Sequence, residues 1–167
     1  SVFANLDHAL KHRGIKKSKR IQKIEEILFH TGLTRLAKIS ARLLSVGEQQ
    51  RLAVARAWSL DPEVLFLDEP TAALDPAATH SLEEIIDLIS KSGTKVIMST
   101  HDLGQAKRLA DEILFLNRGR LLEKANGDQF FDEPKNDLAR SFIRGELLWW
   151  HRQELKPPNK FNNPKDS

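Results

Sequence analysis

The apolar residues of this chain fall into helical and strand spacings that alternate along much of its length. Between residues 19 and 30, Ile21, Ile24, Ile27 and Leu28 share one helical face, with Ser18 placed to cap the start and Gly32 following the end. A second helix is predicted from Ser45 to about Leu60, packing through Leu52, Ala53, Ala55 and Trp58 and stopped by Asp61-Pro62. Val64 to Leu67 is a short, nearly continuous apolar run, the pattern of a strand buried on both faces of a parallel sheet. Asp75-Pro76 then supplies an N-cap and a proline at the first helical position, and Leu82, Ile85, Ile86 and Ile89 follow at helical spacing up to Gly93.

Lys95 to Thr100 reads as the next strand and Leu103 to Ala110 as a short helix. Ile113 to Leu122 reads as a strand, a tight turn at Asn117-Arg118-Gly119-Arg120 and a return strand. This alternation predicts an α/β fold with a parallel sheet. Three regions follow: a helical one over 1–60, a core over 61–145, and an end over 146–167. The Lys156-Pro157-Pro158-Asn159 and Asn162-Asn163-Pro164 segments suggest a disordered tail in the last of these.

With 167 residues and 40% hydrophobic content, the chain can bury one ordinary core. It has no Cys, which removes disulfides, thiolate zinc sites and Cys nucleophiles from consideration. No apolar run approaches the ~20 residues needed to span a bilayer. Charge is uneven: residues 1–60 carry 12 Lys/Arg against 4 Asp/Glu, leaving 14 against 19 for the remainder of the stated 26 and 23. The basic third, with six Lys/Arg among residues 11–20, suits either a solvated helix connection or a surface near anionic lipid or nucleic acid.

Asp68 and Glu69 close the first strand, where ligands of open α/β sheets bind. Neighbours on a strand point to opposite sides, so two roles are expected: one carboxylate holds Mg²⁺ through water, the other polarises an attacking water. His101 follows the next strand at the same sheet edge. The other five histidines show no metal-ligand spacing and read as exposed or packing residues. Ser45 and Glu48 form a capping box, while the same helix N-terminus, with Gly47 lacking a side chain, can also meet a phosphate.

In order, these segments resemble ATP-binding cassette (ABC) ATPases. Leu44-Ser45-Val46-Gly47-Glu48-Gln49-Gln50-Arg51 looks like their signature motif, and Val64-Leu65-Phe66-Leu67-Asp68-Glu69-Pro70 like the Walker B strand. Thr71-Ala72-Ala73-Leu74-Asp75 resembles the D-loop, and Ser99-Thr100-His101-Asp102 the switch histidine. The resemblance implies a P-loop NTPase-like (RecA-like) core with a helical subdomain, acting on ATP with Mg²⁺. Asp68 would hold Mg²⁺ through water, Glu69 would be the general base, and His101 would sense the γ-phosphate. Ser45, Gly47 and Glu48 would form the nucleotide-facing signature element. Ser45 and Gly47 would contact ATP held by a second cassette in a head-to-tail dimer, and Asp75 would bridge the two. Permease subunits would dock on residues 1–60 at the cytoplasmic side of a membrane, with a solute-binding protein engaged only indirectly.

Two departures accompany the resemblance. Val46 stands where the family usually has a second glycine, so bulk replaces bareness and weaker signature contacts are expected. No two of the eight glycines, at 14, 32, 47, 93, 104, 119, 127 and 145, are five apart, so no Gly-x-x-x-x-Gly-Lys-[Ser/Thr] cradle occurs. By family order the chain is expected to begin just after the glutamine loop. Residues 104–111 and 145–149 look most like oxyanion importers, particularly tungstate-type relatives of the molybdate and phosphate systems. Two other readings are a non-catalytic cassette that complements an intact subunit, and an ABC-type nucleic-acid ATPase. The absence of a sustained heptad run or a Cys-based insertion speaks against the second, so no nucleic-acid partner is expected.

Overall fold

Val2, Leu6 and Leu10 recur every four residues and are fully buried, the inner face of a helix missing from the sequence reading, α1 (Val2–His12). Ser1 caps it by accepting the Ala4 N–H. In the computed structural model, which describes residues 1–146, α1 packs with α2 (Lys17–His30) and α3 (Val46–Trp58). Ile24, Ile27, Leu28, Leu33, Leu44, Leu52 and Ala55 complete their common core. Two short 3₁₀ turns, Thr34–Leu36 and Ala41–Leu43, lead from α2 to α3.

Three local expectations need correction here. Ser18 does not cap α2: Lys16 is the N-cap residue, without a side-chain cap bond, and Ser18 lies inside the helix. The entry is fixed instead by Arg20, whose Nε donates to Asp7 at 2.7 Å and whose other N–H donates to the Ile15 carbonyl at 2.9 Å. Ala53 is exposed; the buried positions of α3 are Leu52, Val54 and Ala55. The histidines are not all without ligand spacing, because α1 sets His8 and His12 one turn apart with their Nε2 atoms 3.2 Å from each other. That spacing has meaning only on a helix, and none was assigned there.

The end of α2 follows the sequence. Gly32 adopts φ +66°, its N–H bonding the Phe29 carbonyl at 3.1 Å and the Leu33 N–H bonding Leu28 at 2.8 Å. This Schellman closure turns Leu33 into the core. An ion pair from Lys23 to Asp61 then ties α2 to the exit from α3.

β1 (Val64–Asp68) and β2 (Lys95–Ser99) pair in parallel, with Asp68 opposite Ser99. The crossover helix α4 (Pro76–Lys91) buries Leu82, Ile85, Ile86 and Ile89. The expectation that β1 is buried on both faces is not met. Phe66 is 72% exposed and its register partner Ile97 42%. Among the described residues no second layer covers that side, so a run with two-faced burial chemistry has one covered face.

The chain divides into two compact units, Ser1–Asp102 and the part from Leu103 onward. The boundary expected near residue 60 falls within the first, where α3 and α4 pack together. The second unit contains α5 (Leu103–Leu109), β3 (Glu112–Asn117), β4 (Arg120–Asn126), α6 (Gly127–Asp132) and α7 (Asp137–Ile143). β3 and β4 form an antiparallel hairpin, so the third strand makes its own sheet and does not extend the parallel pair. Phe115, Ala125, Phe130 and Ala139 form its core. Glu123, buried on β4, accepts the N–H groups of Lys135 and Asn136 at 2.9 and 2.8 Å and so fixes the start of α7. No helix among the described residues is long and apolar enough to cross a membrane. The terminal helix end and the tail expected past about residue 155 lie outside the described residues.

Candidate functional site

Parallel pairing brings the ends of β1 and β2 together, and the titratable residues of both strand ends gather at that edge. The Ser99 hydroxyl donates to Asp68 Oδ1. Glu69 leaves the strand with φ +44°, and its N–H bonds both the carbonyl and the hydroxyl oxygen of Ser99, at 3.1 and 3.2 Å. Its carboxylate lies 2.8 Å from His101 Nδ1. The adjacent carboxylates therefore have different partners, Asp68 a hydroxyl and Glu69 an imidazole. Ser99 is the participant that sequence reasoning missed; its signal was its place in the strand register directly opposite Asp68.

The pairing with Glu69 changes how His101 holds its proton. The hydrogen bond from Nδ1 to the carboxylate, then the charge of Glu69, and more weakly that of Asp102 raise the His101 pKa above the ordinary value. A raised folded pKa means that the pair stabilises the fold below the ordinary histidine pKa and that this contribution is lost as pH rises through the folded value. An NMR titration should find His101 titrating at higher pH in the wild type than in Glu69→Gln. Identical titrations would remove the pair from the account.

The second group of predicted residues lies at the N-termini of α3 and α4. Ser45 caps α3 in a complete capping box: its N–H donates to Glu48 Oε2 at 2.8 Å, and the Glu48 N–H donates to Ser45 Oγ at 3.3 Å. The Ser45 backbone N–H, then its hydroxyl, and less strongly Arg51 lower the Glu48 pKa. Asp75 caps α4, accepting the Ala77 and Ala78 N–H groups at 2.9 Å each. Gly47 connects the two ends, because a Cβ at that position would stand 2.9 Å from the Ala78 Cβ. Its bareness thus has a packing cause in addition to the phosphate role expected of it. Gly47→Ala is expected to push α3 off α4 and cost about 1–3 kcal/mol, read as a lower urea midpoint at unchanged m-value. Val46, at the first position of α3, is 59% exposed.

The donor chemistry at the strand ends is all oxygen and imidazole. Asp68 and the Ser99 hydroxyl suit Mg²⁺, which takes one or two protein oxygens and completes its shell with water and phosphate. No cluster of three His, Cys, Asp or Glu occurs among the described residues, so the protein part of such a site is small. The phosphates of ATP do not find a cradle in this chain, which has no glycine pair at P-loop spacing. A cleft of about 700 Å³ lined by Lys19, Lys23, Trp58, Asp61 and Thr94 opens at the opposite, N-terminal ends of the strands and includes none of these residues.

Comparison with known proteins bears on this arrangement. Residues 3–104 match the family described as "AAA domain, putative AbiEii toxin, Type IV TA system". The chain is 43% identical over 152 residues to the phosphate import ATP-binding protein PstB of Mycoplasmoides gallisepticum, covering 88% of this chain and 46% of that protein. It is 39% identical over 153 residues to PstB of Thermotoga maritima, covering 88% and 60%. With the glutamate transport ATP-binding protein GluA of Corynebacterium efficiens it shares 34% identity over 139 residues, covering 83% and 57%. The chain thus spans about half the length of the curated relatives it matches. On the family match and the motif order of residues 44–102, the chain belongs to the AAA-domain family and is a homologue of ABC-type ATP-binding import proteins.

Proposed function

We propose that this chain carries the carboxylate end and the signature helix of an ABC import ATPase, whose phosphate cradle is supplied by other residues than these 167. The observation that carries the reading is the separation of partners at the strand ends: Asp68 is paired with Ser99, and Glu69 with His101. Asp68 offers the oxygen that suits a water-bridged Mg²⁺, which when bound offsets phosphate charge. Glu69 orients and deprotonates the attacking water, and His101, held beside it, donates to the transferred phosphoryl group. Ser45, Gly47 and Glu48 present the N-terminus of α3 to nucleotide on a second cassette, and Asp75 lies at the contact between the two.

Permease subunits at the cytoplasmic face of a membrane are the proposed docking partners, and a tetrahedral oxyanion is the proposed cargo. The resemblance of residues 104–111 favours tungstate, and the names of two relatives supply phosphate as the other candidate. Competition uptake with both anions in the assembled transporter separates them. The purified 167 residues alone are expected to show no Mg²⁺-dependent ATP turnover, because positioning of the γ-phosphate needs the missing cradle. Measured turnover by this sample would overturn the division of labour. The same lack of a cradle favours a second reading, a cassette that complements an intact subunit without hydrolysing ATP itself. Binding to an intact cassette, with hydrolysis at only one of the two shared sites, would distinguish it.

A further inference from the structure

We propose that His8 and His12 form a two-histidine chelate for a divalent transition-metal ion of the nickel, copper and zinc group. The two residues are one turn apart on the exposed side of α1, with Nε2 atoms 3.2 Å from each other and ring centroids 4.5 Å apart. Two nitrogens bound to one ion at about 2.0–2.1 Å are about 2.9 Å apart at a right angle and about 3.3 Å apart at the tetrahedral angle. The observed separation lies between these limits, so the pair spans one ion without a change in the helix. Their rings are inclined at 79°, and χ2 of an exposed histidine is a soft torsion that can turn both lone pairs to a common point.

The helix dipole favours a cation here, while Lys11 and Arg13 on either side of His12 oppose one and set a limit on affinity. His12 is in the last turn of α1, where the helix dipole is negative, and neither ring contributes to the core made by Val2, Leu6 and Leu10 on the other side. In a hydrogen bond between the two Nε2 atoms, one ring donates its Nε2–H and the other accepts, the direction being set by the tautomers. When an ion binds, the donor ring shifts that proton to Nδ1, leaving both Nε2 lone pairs free and the net charge of the rings unchanged. Imidazole suits nickel, copper and zinc and leaves magnesium unbound, with affinity rising toward copper. No third side-chain ligand joins the pair among the described residues, so water fills the other positions.

Titration of NiCl₂ into the full 167-residue chain, followed by calorimetry, tests this. His8→Gln and His12→Gln are each expected to weaken Ni²⁺ binding tenfold or more, while the exposed His80→Gln leaves it unchanged and MgCl₂ does not compete. Ni²⁺ should also raise the melting temperature of the wild type and not that of His8→Gln, since the ion links two turns of the folded helix. Equal affinity in wild type, His8→Gln and His12→Gln, or an equal loss in His80→Gln, would overturn the proposal.

Discussion

Glu69→Gln in an ATP-hydrolysing assembly of this protein is expected to lower turnover by ~10²–10⁴ while nucleotide still binds. Glutamine has the size of glutamate, and its amide oxygen can still accept from His101 Nδ1, so the 2.8 Å contact and the turn after β1 can persist. What disappears is the negative charge proposed to accept a proton from water. Asp68, bonded to Ser99, keeps its own oxygen for a metal ion. The two effects separate in experiment: single-turnover hydrolysis should collapse while the dissociation constant of a fluorescent ATP analogue stays within a few-fold. Undiminished hydrolysis in this variant would remove the base role from Glu69.

The largest effect on stability is expected from Leu6→Ala, a loss of about 2–5 kcal/mol. Leu6 is fully buried in the centre of the α1 stripe, between Val2 and Leu10, and faces the core shared with α2 and α3. Truncation leaves a void lined by side chains of three helices, two of which, α1 and α2, are also tied by the Arg20–Asp7 pair. Because α3 carries the capping box, its loosening should reach the signature residues. Chemical unfolding measures the loss, and hydrogen exchange at Glu48 tests the spread; a midpoint equal to wild type would contradict the packing described here.

Both predictions rest on elements of unequal legibility. β1, β2 and α4 were readable because their signals are local: an unbroken apolar run, its repeat some thirty residues on, and an Asp-Pro start before a strict helical stripe. The capping box at Ser45 and Glu48 was legible for the same reason. α1 was harder, since Val2, Leu6 and Leu10 are three apolar residues scattered among Asn5, Asp7 and His8, and burial by α2 and α3 decides their state. Without α1, the histidine pair had no geometry. The exposed side of Phe66 and Ile97 could not be read at all, because hydrophobicity states what a strand can bury and not which neighbours are there to bury it. Ser99 became visible only through strand register, a long-range quantity.

One backbone angle ties the proposed chemistry to the energetics of folding. Among the described residues, three non-glycine residues have positive φ: Asp61, Arg118 and Glu69. At Asp61 and Arg118 the chain turns, and Asp61 is itself a short polar residue that also pairs with Lys23. At Glu69 the left-handed conformation carries a penalty on the order of 1 kcal/mol for a residue with a long side chain. Glycine or asparagine there would relieve it, and either would delete the long carboxylate that reaches His101. On the role proposed for Glu69, selection for a relaxed backbone and selection for turnover therefore pull in opposite directions at this position. A variant library screened by folding alone, at a pH above the His101 titration where the pair no longer stabilises the fold, would be drawn toward replacing Glu69, and would lose the proposed base with it.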